Sequence, residues 1–409
     1  MIQFLKYTCI LTVMLSSFFT FGQNDTLTNK YIESELISLA GRDGIAWKSK
    51  DQNFLFKPYV LIQTRANFNY YDDEGLNLAE QDNVLNSGFS VPYSLIGFAG
   101  KAFEKITFNL AINASASGAS LLNQAWFDIN LKDELRFRIG KFKTPYTQAY
   151  LVRLGQTLFA TPPRSLTTRV NLDFDINAVN PTIATGFDIG VQVHGLIRNK
   201  FEYRVGVFNG TGINVNKATS STSDDLGIPA LLYAARFAYM PYGPMPLHQG
   251  DPSDLTGEYF MIASSVSYNV EANYESTNDL RTGLEVSYMI NRWYLSGEAY
   301  LLNMDFVERQ QIKPNYTYFG SYIQAGYFAT DKLQAALRLD VMDRNSTDND
   351  GLLYMPAIGF NYFIVGHNLK LQTMYQYLGK NGHSSIFKEN DDDNGMAEHM
   401  LSVQLQFAF

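Results

Sequence analysis

The residues of this chain that could do chemistry are charged side chains at alternate positions. Arg65, Arg136, Arg138, Arg204, Arg236, Arg281, Arg338 and Lys370 fall on the polar side of period-two patterns, and Asp128, Asp188, Glu202, Glu285, Glu298 and Asp340 share that side. Arg153, Arg164 and Arg169 lie in the 43-residue stretch 144–186, whose acids are Asp173 and Asp175. Eleven cations against eight carboxylates is a small positive excess in a chain whose formal net charge is −8. Rings of Arg or Lys set anion preference where they surround a path, and a guanidinium fork matches phosphate or carboxylate. Mutual neutralisation competes with that use. Glu202 with Arg204, and Arg338 with Asp340, are two apart on one face, and both pairs read as structural.

Catalysis finds little support. The five histidines are His194, His248, His367, His383 and His399, four of them at or near turns or loops, and no Gly-x-Ser-x-Gly, His-Glu-x-x-His or phosphate loop occurs. His194 alternates with Val191 and Val193 and so falls on the polar side, away from any wall that could meet lipid. Acid patches at Asp173-Phe-Asp175-Ile-Asn177, Asp348-Asn349-Asp350-Gly351 and Asp391-Asp392-Asp393 offer alternate oxygens. The first lacks the glycine and distal glutamate of a calcium loop, and all three read as solvated turns. The expectation is therefore no enzyme, no metal and no cofactor. Forty acids against 32 Lys+Arg also argue against a nucleic-acid partner.

The elements that must position these charges are strands. From about Phe54 to Phe409 the chain repeats nine to twelve residues of apolar–polar alternation followed by a turn, sixteen times from 59–70 to 398–409. Two of the segments, 91–102 and 354–363, contain a proline (Pro92, Pro356). Aromatics are 14% of the residues and charges 18%, a balance that favours sheet. After the N-terminus no apolar run reaches the ~18 residues of a membrane helix. Short links such as Phe103-Glu104-Lys105 and Ile290-Asn291-Arg292 alternate with long polar ones, as in a transmembrane barrel with turns on one side and loops on the other. The link 241–258, with four prolines, breaks that alternation and reads as a long periplasmic turn. A soluble β-sandwich also alternates, but its strands are shorter. The segments here match the ~9–11 residues that cross a bilayer at a tilt, and Tyr70, Tyr239, Tyr268, Tyr288, Trp293 and Tyr377 stand near their ends, as an interfacial girdle would. The reading is an all-β, sixteen-stranded antiparallel transmembrane barrel over 54–409.

The N-terminal residues 1–22 read as a signal peptide: Lys6, then an apolar Tyr7–Phe21, then small residues at Thr20 and Gly22. Cleavage there leaves no cysteine, since Cys9 is the only one. Residues 23–53 read as a periplasmic segment. Sixteen strands enclose a water-filled lumen. The stretch 144–186 is too apolar for a loop in water (Leu151, Val152, Leu154, Leu158, Phe159), so it is expected to fold into the barrel and narrow it, with Arg153, Arg164 and Arg169 at the constriction and the alternating cations lining the pore; an external cap or a subunit contact is the other reading.

Local motifs carry a resemblance. Asp43-Gly44 through Lys50-Asp51, Arg138-Ile139-Gly140-Lys141-Phe142-Lys143-Thr144-Pro145-Tyr146, Val205-Gly206-Val207-Phe208-Asn209-Gly210-Thr211-Gly212 and Tyr233-Ala234-Ala235-Arg236 are similar to segments of the phosphate-selective porin O and P family of Gram-negative outer membranes. The resemblance implies a sixteen-stranded, usually trimeric porin with the loop after strand five folded inward. Members with phosphate specificity use a ladder of arginines and a lysine cluster; Lys141 and Lys143 are the matched cations here. The expected function is a channel for small hydrophilic solutes, phosphate-like anions among them, in an outer-membrane homotrimer surrounded by lipid. The other function class is a non-conducting barrel serving adhesion or surface attachment.

Overall fold

The computed structural model describes residues 45–51, 53–72, 83–167, 186–210, 229–270, 276–306, 315–343, 352–380 and 397–409. Sixteen strands form one ring: β1 (Leu55–Asp72), β2 (Asn83–Ala102), β3 (Ile106–Asn113), β4 (Leu122–Lys132), β5 (Leu135–Lys143), β6 (Phe187–Ile197), β7 (Phe201–Phe208), β8 (Leu232–Tyr239), β9 (Tyr259–Val270), β10 (Ser276–Ile290), β11 (Trp293–Phe306), β12 (Asn315–Phe328), β13 (Leu333–Asp343), β14 (Leu353–Val365), β15 (Leu369–Lys380) and β16 (Ala397–Ala408). Each pairs antiparallel with the next, and β16 returns to β1 with Ala408 opposite Leu61 and Ala397 opposite Asp72. Val60 and Phe409 exchange both backbone hydrogen bonds at 3.1 Å, so the chain's last residue completes the seam. A two-residue strand, Trp47–Lys48, pairs with Phe56 and Leu55 beside the start of β1.

The alternation read from the sequence is inside out relative to a soluble protein. On β13, Leu337 is 60% and Leu339 40% exposed, while Arg338 and Asp340 are buried. The same inversion runs round the ring: Leu284, Ile323, Ile358 and Leu405 face outward, and Glu285, Gln324, Asn361 and Gln404 face inward. An open sheet with an apolar outer face would leave backbone donors unpaired in lipid, and closure removes that edge. Among the described residues no helix is long and apolar enough to cross a membrane.

The short links cluster at the end that also carries residue 55 and residue 409. In three of them, Phe103-Glu104, Arg198-Asn199 and Asn291-Arg292, two successive residues have positive φ, the geometry whose twist matches the flanking strands. Stacked aromatics mark this end, with Trp47 on Phe56 and Phe56 on Phe98 at centroid distances of 5.8 and 5.2 Å. At the opposite end Tyr70, Tyr375 and Tyr377 surround His399.

The start of one expected strand needs correction, and the strand expected around Pro356 is present; both involve proline. The second segment begins at Asn83, well before residue 91, because Pro92 does not start the strand but sits in a bulge. Gln63 faces Tyr93 and Arg65 faces Ser90, so Val91 and Pro92 together oppose Thr64, and the missing N–H falls where the ladder is already interrupted. Pro356 stays inside β14, facing Leu339 of β13, while the pairing to β15 skips Met355 and Pro356. The link after β8 is not a simple turn either. It carries buried Met240, Met245 and Gln249, and the Gln249 N–H donates to the Gln156 carbonyl at 2.9 Å, so it rises from the turn end into the barrel.

Gly140, in the motif that opens the long loop, has φ +127°, and a Cβ there would lie 2.2 Å from the Ala125 carbonyl oxygen. Gly140→Ala should lower barrel stability by about 1–3 kcal/mol, read as an earlier midpoint in urea unfolding from liposomes. An unchanged midpoint would show that the β4–β5 pair absorbs the side chain.

Candidate functional site

The lumen is shaped by the described part of the stretch after β5, residues 144–167. It contains two short helices, α1 (Gln148–Leu151) and α2 (Arg164–Thr167), joined by extended chain and one 3₁₀ turn (Leu154–Gln156). The first residues of a helix have N–H groups without partners inside it. Barrel carboxylates supply them. Glu298 of β11 accepts from the Ala149 N–H at 2.7 Å, and Asp340 of β13 accepts from the Arg164 N–H at 2.5 Å and the Ser165 N–H at 3.3 Å.

The extended part has no ladder of its own, so its carbonyls need donors from the wall. A row of amides provides them. Gln63 donates to the Leu154 carbonyl, Gln406 to Gly155, Gln372 to Thr157 and Asn361 to Leu158, at 2.8–3.3 Å. The same amides bond one another across strands: Gln63 to Gln406, Gln404 to Gln372, Gln372 to Asn361 and Asn361 to Gln334. From below, Gln249 accepts from the Leu158 N–H at 2.7 Å. The apolar residues of the segment pack beneath this scaffold. Leu158 and Phe159 are almost wholly buried among Met245, Met261 and Met374, and Leu166 lies against Tyr318 and Tyr322. The segment is thus fastened to β1 and β11–β16.

On the other side of the lumen a cavity of about 200 Å³ remains between loop residues 151–156 and the wall of β1, β2 and β4–β7. It extends from Phe187 at the loop end to Ala408 and Phe409 at the turn end. Its charged lining is Arg138, Lys143, Arg153 and Arg204, with His367 at the turn end, and among the described residues no carboxylate lines it.

With barrel and cavity described, comparison with known proteins identifies the chain's family. The sequence model of the phosphate-selective porin O and P family matches residues 62–409. The chain belongs to that family. It is an outer-membrane porin of Gram-negative type. A protein from Aquifex aeolicus (strain VF5), itself described as uncharacterised, is 23% identical over 301 residues, covering 70% of this chain and 67% of that protein. Among solved structures the barrel is similar to an anion-selective porin from Comamonas acidovorans (TM-score 0.58, 14% identity, 87% of this chain and 100% of that one). It is also similar to the outer-membrane channel DcaP of Acinetobacter baumannii (TM-score 0.53, 11% identity, 89% and 99%). At these identities the structures share the fold.

The porin places the alternating cations on the inward face, most of them already held. Arg138 binds Asp128 at 2.7 Å, where His194 also bonds at 2.9 Å; Arg236 binds Glu285 at 2.7 Å and Glu202 at 3.0 Å; Arg204 binds Glu202 at 2.8 Å; Arg281 binds Asp279 at 2.6 Å; Arg136 binds Asp133 at 3.0 Å. The remaining three serve the loop. Arg65 donates to the Ala160 carbonyl and Gln404, Arg338 to the Thr161 carbonyl at 3.0 Å, and Lys370 to the Thr157 carbonyl at 3.3 Å. The Glu202–Arg204 pairing expected from their spacing is made. The Arg338–Asp340 pairing is not, because the backbone of α2 takes Asp340 and the loop carbonyl takes Arg338.

The two described loop arginines, Arg153 and Arg164, have different partners. Arg153 lines the cavity and donates to Gln156 at 2.9 Å. Arg164 uses its backbone N–H on Asp340 and turns its guanidinium toward the Met400 sulfur at 3.8 Å. Arg169 lies outside the described residues, as do the acid patches at 173–177, 348–351 and 391–393. Sequence reasoning passed over the amide row and Trp126, although Gln63, Gln372, Gln404 and Gln406 occupy the same alternating positions as the charges. It also left Lys143 as a family match only. That residue ends β5 and donates to the Tyr150 and Val152 carbonyls at 2.6 and 2.8 Å.

Leaving buried N–H groups of this kind without their acceptors costs about 1–3 kcal/mol each. The Glu298→Ala, Asp340→Ala double variant should therefore loosen α1 and α2 and raise single-channel conductance above wild type. A channel of unchanged conductance would mean that the amide row alone holds the segment.

Proposed function

We propose that this porin passes small hydrophilic solutes by passive diffusion with a preference for anions, phosphate-like ones included, and that 144–186 forms its constriction. The observation that carries the reading is the composition of the passage: Arg138, Lys143, Arg153 and Arg204 line it, and no described carboxylate does. Asp128 is shut away from water behind Arg138, so a solute in the passage meets the guanidinium before the carboxylate. Cations gathered at a narrow, low-dielectric point set selectivity even in a chain of net charge −8, because distant surface acids are screened within about 8 Å at physiological salt. One of the similar structures carries the name anion-selective porin. Residues 1–22 act as an export signal and 23–53 as a periplasmic segment in this reading, and the alternating cations line the pore.

The assembly we assign is a homotrimer. β3, β7 and β8 have eight residues each, fewer than the ~9–11 a strand needs to cross a bilayer, while β10, β11 and β12 have fourteen or fifteen. A wall too low to meet both lipid interfaces is shielded by another copy at lower cost than by deforming the bilayer. A similar structure, OmpT of Vibrio cholerae, is described in a trimer form.

Reversal potential in a KCl gradient tests the reading. Wild type should favour chloride. Arg153→Glu should shift the permeability ratio toward potassium by about two- to fivefold, the equivalent of roughly 0.5–1 kcal/mol for a part-exposed charge. Cation selectivity in wild type overturns the anion preference, and a barrel that carries no current overturns the channel in favour of surface attachment.

A further inference from the structure

We infer that the link after β8 clasps the constriction from the turn end of the barrel, and that acid opens the clasp by charging His367. This rests on the reading of the stretch after β5 as the constriction and adds a regulation to it. It does not depend on the anion preference.

The clasp joins two segments that enter the barrel from opposite ends. The tip of the link, residues 247–250, meets the loop at residues 153–158. The Gln249 N–H donates to the Gln156 carbonyl at 2.9 Å, and the Gln249 side-chain oxygen accepts from the Leu158 N–H at 2.7 Å. The Arg153 N–H donates to the Leu247 carbonyl at 3.5 Å. The wall holds the tip in turn. Gln334 donates to the Gln249 carbonyl at 3.3 Å, and His367 Nε2 lies 3.0 Å from the Gly250 carbonyl oxygen. Gly250 has φ +101°, and a Cβ there would lie 2.3 Å from the Gln334 amide nitrogen, so a side chain would push the tip away.

His367 is the titratable member of this joint. It lies between β14 and β15, outside the strands. Its partner at Gly250 is a carbonyl, which accepts, so Nε2 carries the hydrogen and Nδ1 is bare. Nδ1 is shut off from water and meets no hydrogen-bond partner among the described residues. Charging the ring would put a second N–H there with nothing to receive it.

The surrounding charges oppose that proton on balance. Lys370 of β15 and His248 of the link disfavour a positive ring, and Asp251 of the link favours one. The His248 ring is 6.5 Å from that of His367, and Asp251 already accepts from the Ser253 N–H and hydroxyl at 2.8 and 2.6 Å. Arg153 and the chain-terminal Phe409 line the same cavity as His367, and Asp254 is turned to the Tyr259 hydroxyl at 2.9 Å. Burial first, then Lys370, push the imidazole down from its ordinary 6.5 to about 3, against the pull of Asp251. An open clasp returns the ring to water, where it charges near 6.5. Between those two values the open state binds a proton that the closed state refuses. The clasp is therefore firmest above the upper value, and opening gains about tenfold for each pH unit below it.

The test is single-channel recording of full-length porin in planar bilayers, with both chambers titrated from neutral to mildly acid. Time spent in a high-conductance substate should rise about tenfold per pH unit below about pH 6. His367→Gln, whose amide N–H can still reach the Gly250 carbonyl but takes up no proton, should flatten that rise. Gln249→Ala should raise the substate at every pH. Should His367→Gln fail to assemble, NMR of the wild-type imidazoles decides. The ring assigned to His367 through its contact with the Phe363 ring should stay neutral, with the hydrogen on Nε2, at about pH 5. A ring that charges near its ordinary value, or an acid rise that survives His367→Gln, would overturn the inference and leave the constriction standing. Unchanged conductance in Gln249→Ala would overturn the clasp. If the Glu298→Ala, Asp340→Ala double variant were unchanged as well, the constriction reading would fall with it.

Discussion

Every feature of this barrel follows from one constraint: a backbone N–H or C=O inside hydrocarbon has to be paired within the protein, because no water is there to take it. The ring closes where Val60 and Phe409 exchange hydrogen bonds and β16 runs alongside β1 for twelve residue pairs. Once closed, the sheet has an outside that meets lipid and an inside that meets water, and the period of two sorts the side chains between them. Leu337 goes out and Arg338 goes in for the same reason that the two would be reversed in a sandwich. The closure also explains where irregularity is tolerated. Pro92 is accommodated by a bulge and Pro356 by skipped ladder pairs on one side, so neither opens the ring.

The same constraint acts a second time inside the lumen. A loop that leaves the aqueous exterior and lies against the wall brings unpaired carbonyls and helix-starting N–H groups into a space largely filled by side chains. The wall answers each kind with its opposite: carboxylates Glu298 and Asp340 for the N–H groups, and amides Gln63, Gln372, Asn361 and Gln406 for the carbonyls. Amides suit the row because each both donates and accepts. Gln372, for example, donates to the loop and to Asn361 while accepting from Gln404. Charges would leave half of those bonds unmade. The Met245–Gln249 region, rising from the turn end, supplies the floor on which Leu158 rests.

The strand count, the inversion of polarity and the seam were legible in the sequence because they depend on a period, and a period survives without knowing any partner. Segment ends were less so. The 20-residue β2 was read as 91–102, and its first eight residues, Asn83–Ser90, lie beyond the bulge at Val91 and Pro92 opposite Thr64. The inward charges were assigned to a face by alternation, and Arg236, Arg338 and Asp340 are all buried there; of the two pairs read from spacing, Glu202–Arg204 is made and Arg338–Asp340 is not. Arg338 and Asp340 have the spacing of a pair. Their separation is caused by a loop nearly 180 residues earlier in the chain, which no local pattern reports. The amide row was invisible for a plainer reason: a glutamine at an alternating position carries no charge, and so drew no attention in a reading built on charge.

That failure bears on how charge in such a barrel should be read. Counting cations and anions on the inward face gives near balance, which suggests a weakly selective pore. The count ignores depth. Asp128, Glu285 and Asp340 are buried behind the groups they serve, whereas Arg153 and Lys143 line the cavity. A solute responds to the charges it can approach, weighted by the low dielectric of a narrow path. Carboxylates in this lumen hold the walls and loop together, and in doing so they withdraw from the passage. The anion preference proposed above rests on that withdrawal, and not on an excess of basic residues in a chain of net charge −8.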